Sequence, residues 1–136
     1  MGLLIDSSVL VAAERGRLRL QDVLTGSEDE SVAISVITAS EMLHGIQRAK
    51  TVEQASKRHL FVSFILDLFP IIPIDLEVAH HHARIWAELQ VRGEMIGAHD
   101  LLIAASALAF GYKVMTLNVD EFTRVAGLQV LSPTHE

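Results

Sequence analysis

The sequence contains no cysteine. That single absence excludes a disulfide scaffold, a cysteine-ligated zinc site and a thiol nucleophile together, and it fits a reducing compartment. Aromatic residues are scarce, with one Trp, one Tyr and five Phe, so recognition of single strands by stacked rings has little to build on. Long apolar runs are missing too. The longest, Leu101 to Phe110, is broken by Ser106 and is too short to span a bilayer. The start, Met1-Gly2-Leu3-Leu4-Ile5-Asp6, carries no basic segment and only a short apolar run, so no export signal is read there and a cytoplasmic protein is expected. Positive charge is in deficit: 11 Lys and Arg stand against 17 Asp and Glu, a formal net charge of −6. A simple basic nucleic-acid binder is therefore disfavoured. A metal-dependent nuclease is not, because it needs clustered carboxylates and its cations return positive charge where phosphate sits.

Half of the 136 residues are apolar. That suffices for one domain, residues 1–136, with its own core. No repeat, linker or low-complexity tract interrupts it. Short β-like runs alternate with helical patterns. Strands are expected at Gly2–Ile5, Val32–Ser35, Ile71–Ile74 and Lys113–Leu117, with a further one at Gln129–Leu131. Helices are expected at Val9–Glu14, Leu18–Leu24, Thr38–Lys50, Val52–Phe69, Leu76–Arg92, Leu101–Phe110 and Asp120–Val125. Gly93 and Gly111 stop two of them, Pro70 ends a third, and Met95–Ala98 reads as a loop. In Val52–Phe69 the apolar Val52, Ala55, Leu60, Phe64, Ile65 and Leu68 fall roughly on one face. Alternating strands and helices predict an α/β fold, a parallel sheet of four to five strands with helices on both faces.

Ligands of open α/β sheets lie beyond the carboxyl ends of the strands. Asp6 follows the first strand, Glu41 lies one helical turn past the second, and Asp100 opens the apolar helix. Asn118, Asp120 and Glu121 follow the fourth strand. Each has an ordinary structural explanation. Asp6 could cap the helix starting at Ser7, Thr38-Ala39-Ser40-Glu41 has the form of a capping box, and Asp100 could be a first-turn acid. Capping, however, gives no reason to gather these groups at one sheet edge. A hard divalent cation does, since it takes oxygen ligands and offsets the repulsion between neighbouring acids. It would lower the pKa of a bound water and polarise a phosphoryl oxygen, so no nucleophilic side chain is required. Arg15, Arg17 and Arg19 form one basic group, and Arg48, Lys50, Lys57 and Arg58 another. Both read first as solvated surface, although Arg15 and Arg17 would hold phosphates if they flank the site. His80, His81 and His82 point in three directions on a helix and make no metal cluster. His99, beside Asp100, reads as a loop residue near the site. Trp86 is expected in the core or at a dimer interface.

Four segments carry a family resemblance: Leu4-Ile5-Asp6-Ser7-Ser8-Val9, Ser35 to Gly45, Ile96 to Ala107, and Thr116-Leu117-Asn118-Val119-Asp120-Glu121-Phe122 with Val125 to Leu128. In their order and spacing the chain resembles PIN-domain proteins, and among them the VapC-type toxins of bacterial toxin–antitoxin pairs. The resemblance implies a PIN-domain fold and Mg²⁺- or Mn²⁺-dependent endoribonuclease activity on tRNA or another structured RNA. It also implies a homodimer and a VapB-type antitoxin covering the active site. Asp6, Glu41 and Asp100 match the family's main acids, with Asp6 and Asp100 as metal ligands. Where members often have a fourth Asp this chain has Asn118, so Asn118 or Asp120 fills that place. Ser8 and Thr116 match polar positions near the metal. Three other readings compete: a PIN-like nuclease of RNA processing, a degenerate PIN binding module, and a phosphoacceptor domain. The last also places Asp after the first strand, but here Ser7 and Ser8 follow it and Lys113 precedes the fourth strand.

Overall fold

The computed structural model describes residues 2–133. It contains strands β1 (Gly2–Ile5), β2 (Ser31–Ser35), β3 (Ile71–Ile72), β4 (Tyr112–Met115) and β5 (Val130–Leu131). Between them lie helices α1 (Ser7–Glu14), α2 (Leu20–Val23), α3 (Val36–Gln47), α4 (Val52–Leu68), α5 (Leu76–Arg92), α6 (Ala98–Phe110) and α7 (Val119–Phe122). The strands form one sheet in the order β3-β2-β1-β4-β5, with parallel pairing throughout.

β1 is buried along its whole length, as a central parallel strand covered on both faces must be. Its side chains alternate between two cores. Leu3 and Ile5 join Val9, Leu10 and Ile65 on the side of α1, α3 and α4. Leu4 joins Ile85, Leu89 and Ile103 on the side of α5 and α6. α6 is buried almost all round, from Leu101 to Ala107, and its Ser106 hydroxyl donates to the Leu102 carbonyl (2.8 Å). Gly93 and Gly111 close α5 and α6 at φ 68° and 70°, the left-handed backbone that glycine adopts without cost. Gly2 has a different reason to be glycine. It pairs with Tyr112 across β1 and β4, and a Cβ there would lie 2.3 Å from the Tyr112 ring.

Several expected boundaries move. β2 runs into α3 without a loop, so α3 begins at Val36 and not at Thr38. Ser35 caps it, accepting from the Ile37 amide (3.1 Å). Thr38 is buried inside the helix, its hydroxyl unpartnered, so the Thr38–Glu41 capping box does not form. α6 begins at Ala98, taking in part of the expected loop; β3 shortens to Ile71–Ile72, β4 ends at Met115 and α7 ends at Phe122. The apolar face of α4 is covered only in part. Only Val62 and Ile65 are buried, whereas Val52 is 81% exposed, Leu60 72% and Phe64 54%.

Candidate active site

In a sheet ordered β3-β2-β1-β4-β5, the chain leaves β1 towards β2 on one side and β4 on the other. The crevice of such a sheet opens at that reversal, beyond the carboxyl ends of β1 and β4. Asp6 stands there. Its backbone amide donates to the Met115 carbonyl at 2.9 Å, which carries β1–β4 pairing one residue past the strand. The side chain makes no cap bond to α1, so the capping explanation does not hold for it.

Asp6 is 1% exposed, and its two oxygens have different fates. Oδ2 accepts from Ser8 Oγ (2.7 Å) and from Thr116 Oγ1 (2.9 Å). Those hydroxyls are themselves fixed by backbone: the Leu117 amide donates to Ser8 Oγ (3.0 Å), and the Asn118 amide to Thr116 Oγ1 (2.9 Å). Oδ1 is buried with no hydrogen-bond partner. A buried carboxylate oxygen left bare costs its full desolvation unless something electropositive meets it.

Three more acids lie nearby, and the charges of Asp6, Glu41 and Glu121 all act on Asp100. Asp100 sits in the first turn of α6, behind the Gly97 cap. Its carboxyl is pushed up to about 7. Burial is the largest cause, followed by the Asp6 charge, a side-chain hydrogen bond with Glu121, and the charges of Glu121 and Glu41. Glu41 comes from the middle of α3. Its Oε1 accepts from Ser7 Oγ (3.0 Å), and its Oε2 lies 3.4 Å from His99 Nδ1. His99 is therefore a helical neighbour of the acids and not a bystander in a loop.

Glu121 is the residue that sequence reasoning passed over in favour of Asp120. Its Oε1 accepts from the Gly97 amide (3.0 Å), which ties α7 to the start of α6 beside Asp100. Asp120 is exposed, and its hydrogen bond is made by the backbone carbonyl, to Thr123 Oγ1 (3.2 Å). The Thr116–Phe122 segment thus does supply a further acid, one position along from the expected one. Asn118 lies at the rim of the cleft with Asp6, Ser8, Glu41 and Asp100; Arg15 and Arg17 line the same cleft, of about 570 Å³. Trp86, by contrast, is 49% exposed on α5, tilted against His82 at 5.6 Å between ring centroids, and is not a core residue.

Among the described residues no three Asp, Glu or His side chains close into a complete metal cage. That does not disqualify a Mg²⁺-like ion, which keeps several waters and takes one or two carboxylates directly. The bare Oδ1 of Asp6 and the crowded Asp100 fit such an ion.

This architecture is a known one. The model of the PIN domain family matches residues 3–128. The chain belongs to the PIN domain family, on its VapC branch. It is similar to ribonuclease VapC1 of Rickettsia felis, with 38% identity over 97% of this chain and 96% of that one. It is also similar to a tRNA(fMet)-specific endonuclease VapC of Salmonella typhimurium, at 31% identity over 73% of each. Among solved structures, VapBC2 of Rickettsia felis bound to a DNA fragment from its promoter superimposes at a TM-score of 0.88. That match spans 97% of this chain and 98% of the other at 23% identity, which shows the shared PIN fold. The PIN-domain fold and the VapC resemblance expected from sequence both hold.

Proposed function

We propose that this VapC-type PIN domain is a divalent-metal-dependent endoribonuclease, the toxin of a type II toxin–antitoxin pair. The observation that carries the reading is the unpartnered buried oxygen of Asp6, set among Glu41, Asp100 and Glu121. Mg²⁺, or Mn²⁺ in its place, would be held by Asp6 and Asp100. When bound, the cation supplies a water of lowered pKa and polarises a phosphoryl oxygen.

The chain's own residues do the rest. Ser8 and Thr116 hold Asp6 in one rotamer, so its free oxygen is aimed before any ligand arrives. Ser7 holds Glu41 by one oxygen, and the other, beside His99, would take a proton from the attacking water. Asn118, which lines the cleft, would orient that water. Glu121 supports the enzyme reading over a degenerate binding module, because it adds an acid beside Asp100 where Asn118 supplies none. Similarity to a tRNA-specific endonuclease supports tRNA or another structured RNA as substrate.

Two partners follow. The exposed apolar stripe of Leu60, Phe64 and Leu68 on α4 suits a VapB-type antitoxin, and the structural likeness to a VapBC pair supports it. α5 leaves Leu76, Trp86 and Val91 exposed, which suits a second copy of this chain in a homodimer.

Purified protein is expected to cut total cellular RNA into discrete fragments with Mg²⁺ or Mn²⁺ and not in EDTA. Cleavage that persists in EDTA would overturn metal dependence, and intact RNA in every condition would overturn the nuclease reading. Thr116→Val should cost tenfold to a hundredfold in metal affinity, the usual scale for losing a group that orients a ligand. Calorimetric titration with Mn²⁺ checks it; an unchanged affinity would mean that Asp6 needs no help from Thr116.

A further inference from the structure

Three of the eleven Lys and Arg residues make ion pairs, and none of the three lies between residues 15 and 58. Arg84 pairs with Glu88 (3.3 Å), Arg92 with Glu94 (2.9 Å) and Lys113 with Glu30 (2.8 Å). Arg124 donates to the Met95 carbonyl (3.0 Å). Among the described residues no ion pair involves Arg15, Arg17, Arg19, Arg48, Lys50, Lys57 or Arg58.

Four of those seven, Arg15, Arg48, Lys50 and Arg58, line a single groove of about 910 Å³ between α1, α3 and α4, where they outnumber its acids Glu14 and Glu41. The groove reaches Ser7, Glu41 and His99, which also line the cleft around Asp6 and Asp100. The two depressions meet at Glu41. We propose that this groove binds the RNA backbone on one side of the scissile phosphate, with Arg15, Arg48, Lys50 and Arg58 as its phosphate contacts. The proposal rests on the nuclease reading above and says how that substrate is held.

Charge is the argument. A chain with a net charge of −6 repels a polyanion as a whole, so binding must come from a local concentration of cations. An RNA strand cut at the acids must also leave them, and this groove begins where they end. Arg58 is pre-positioned, since its Nη1 donates to the Gly45 carbonyl (2.6 Å) and its other donors remain for phosphate. Met42 and Phe61 give the groove an apolar floor against which bases can lie. An acidic protein segment is the competing occupant. It would meet the same cations but would bring its own negative charge up to Glu41, with no phosphate to be cleaved there.

The test is binding of a labelled mixed-sequence RNA oligonucleotide in EDTA, which needs no turnover. It uses Arg48→Glu and Lys50→Glu, both exposed positions, with Arg84→Glu on the opposite face as control. Each groove variant should bind about tenfold more weakly or worse. Each lost phosphate contact should flatten the salt dependence by about 0.7 in the log–log slope. Arg84→Glu should bind as the parent does. Equal weakening by all three variants would reduce the effect to net charge and overturn the proposal. So would unchanged RNA binding, and if poly-glutamate binding were lost instead, the groove would belong to an acidic protein partner. If the groove variants behave as expected but the parent cleaves nothing, the nuclease reading fails alone; metal-dependent cleavage with normal RNA binding in the variants sinks only this proposal.

Discussion

Asp100→Asn is expected to stop RNA cleavage and, in metal-free protein above pH 7, to raise the melting temperature. Both effects come from one cause. Burial and the neighbouring carboxylates push the Asp100 carboxyl up to about 7 from an ordinary 3.8, so between those values the folded state holds a proton that the unfolded chain has released. Stability therefore falls as pH rises through that window, and above it the folded protein carries the cost of a crowded charge. At full strength a shift of this size corresponds to about 4 kcal/mol. Asp100 is only partly buried, so solvent screens it, and about 1–2 kcal/mol is the fair expectation. That amounts to roughly 3–8 °C for a domain of this length.

Melting curves in EDTA at pH 4 and pH 8 read it directly. Parent and variant should differ little at pH 4 and separate at pH 8, with the variant higher. Added Mg²⁺ should then raise the parent more than the variant, because a ligand that binds only the folded state stabilises it by mass action. Coincident melting at pH 8 would mean that the carboxyl carries no electrostatic strain, and retained cleavage would remove Asp100 from the chemistry. The pattern is that of a functional group held against the interest of stability.

Phe122→Ala is expected to cost about 3–5 kcal/mol, a large share of the roughly 5–15 kcal/mol that holds a domain together. Phe122 is fully buried in the core shared with α5 and α6. It is also the anchor of α7, which spans only Val119–Phe122 and has too few backbone bonds to stand alone. Glu121 is carried on that anchor. Losing the ring should lower the urea midpoint and, where the protein remains folded, loosen Glu121 from the Gly97 amide. The Asp100 carboxyl then loses a hydrogen-bond partner and a neighbouring charge, so its titration should move down. NMR titration of the Asp100 side chain separates the two effects. Phe122→Leu, which keeps most of the volume, should retain the parent titration. A midpoint unchanged in Phe122→Ala would show that α7 is held by its loops.

The acids legible from sequence were those whose position depends on a strand end or a long helix. Asp6 follows a strand that is apolar throughout, and Asp100 precedes a helix that is apolar nearly all round; both signals survive errors of one or two residues in the boundaries. Glu121 was not separable from Asp120. Which of two adjacent acids faces the cleft depends on the rotational phase of α7, and so short a helix shows no periodicity from which to read it. What covers the stripe on α4 was illegible for the opposite reason. Leu60, Phe64 and Leu68 have the spacing of a core face, but spacing does not say whether the surface that covers them belongs to the same chain. Thr38 and Glu41 matched a capping pattern that failed because β2 passes into α3 without the turn such a cap requires.

The two outer strands bear on how this molecule meets others. β3 and β5 are two residues each, and Pro73 and Pro133 follow close behind them. A foreign strand approaching either margin finds too few unpaired amides to extend the ladder, and an imino acid just beyond them. Growth of the sheet by strand addition, the route to runaway self-association, is blocked at both sides. Recognition is left to the helical faces, so an inhibitor of this protein should be sought among helix mimics, not among extended peptides.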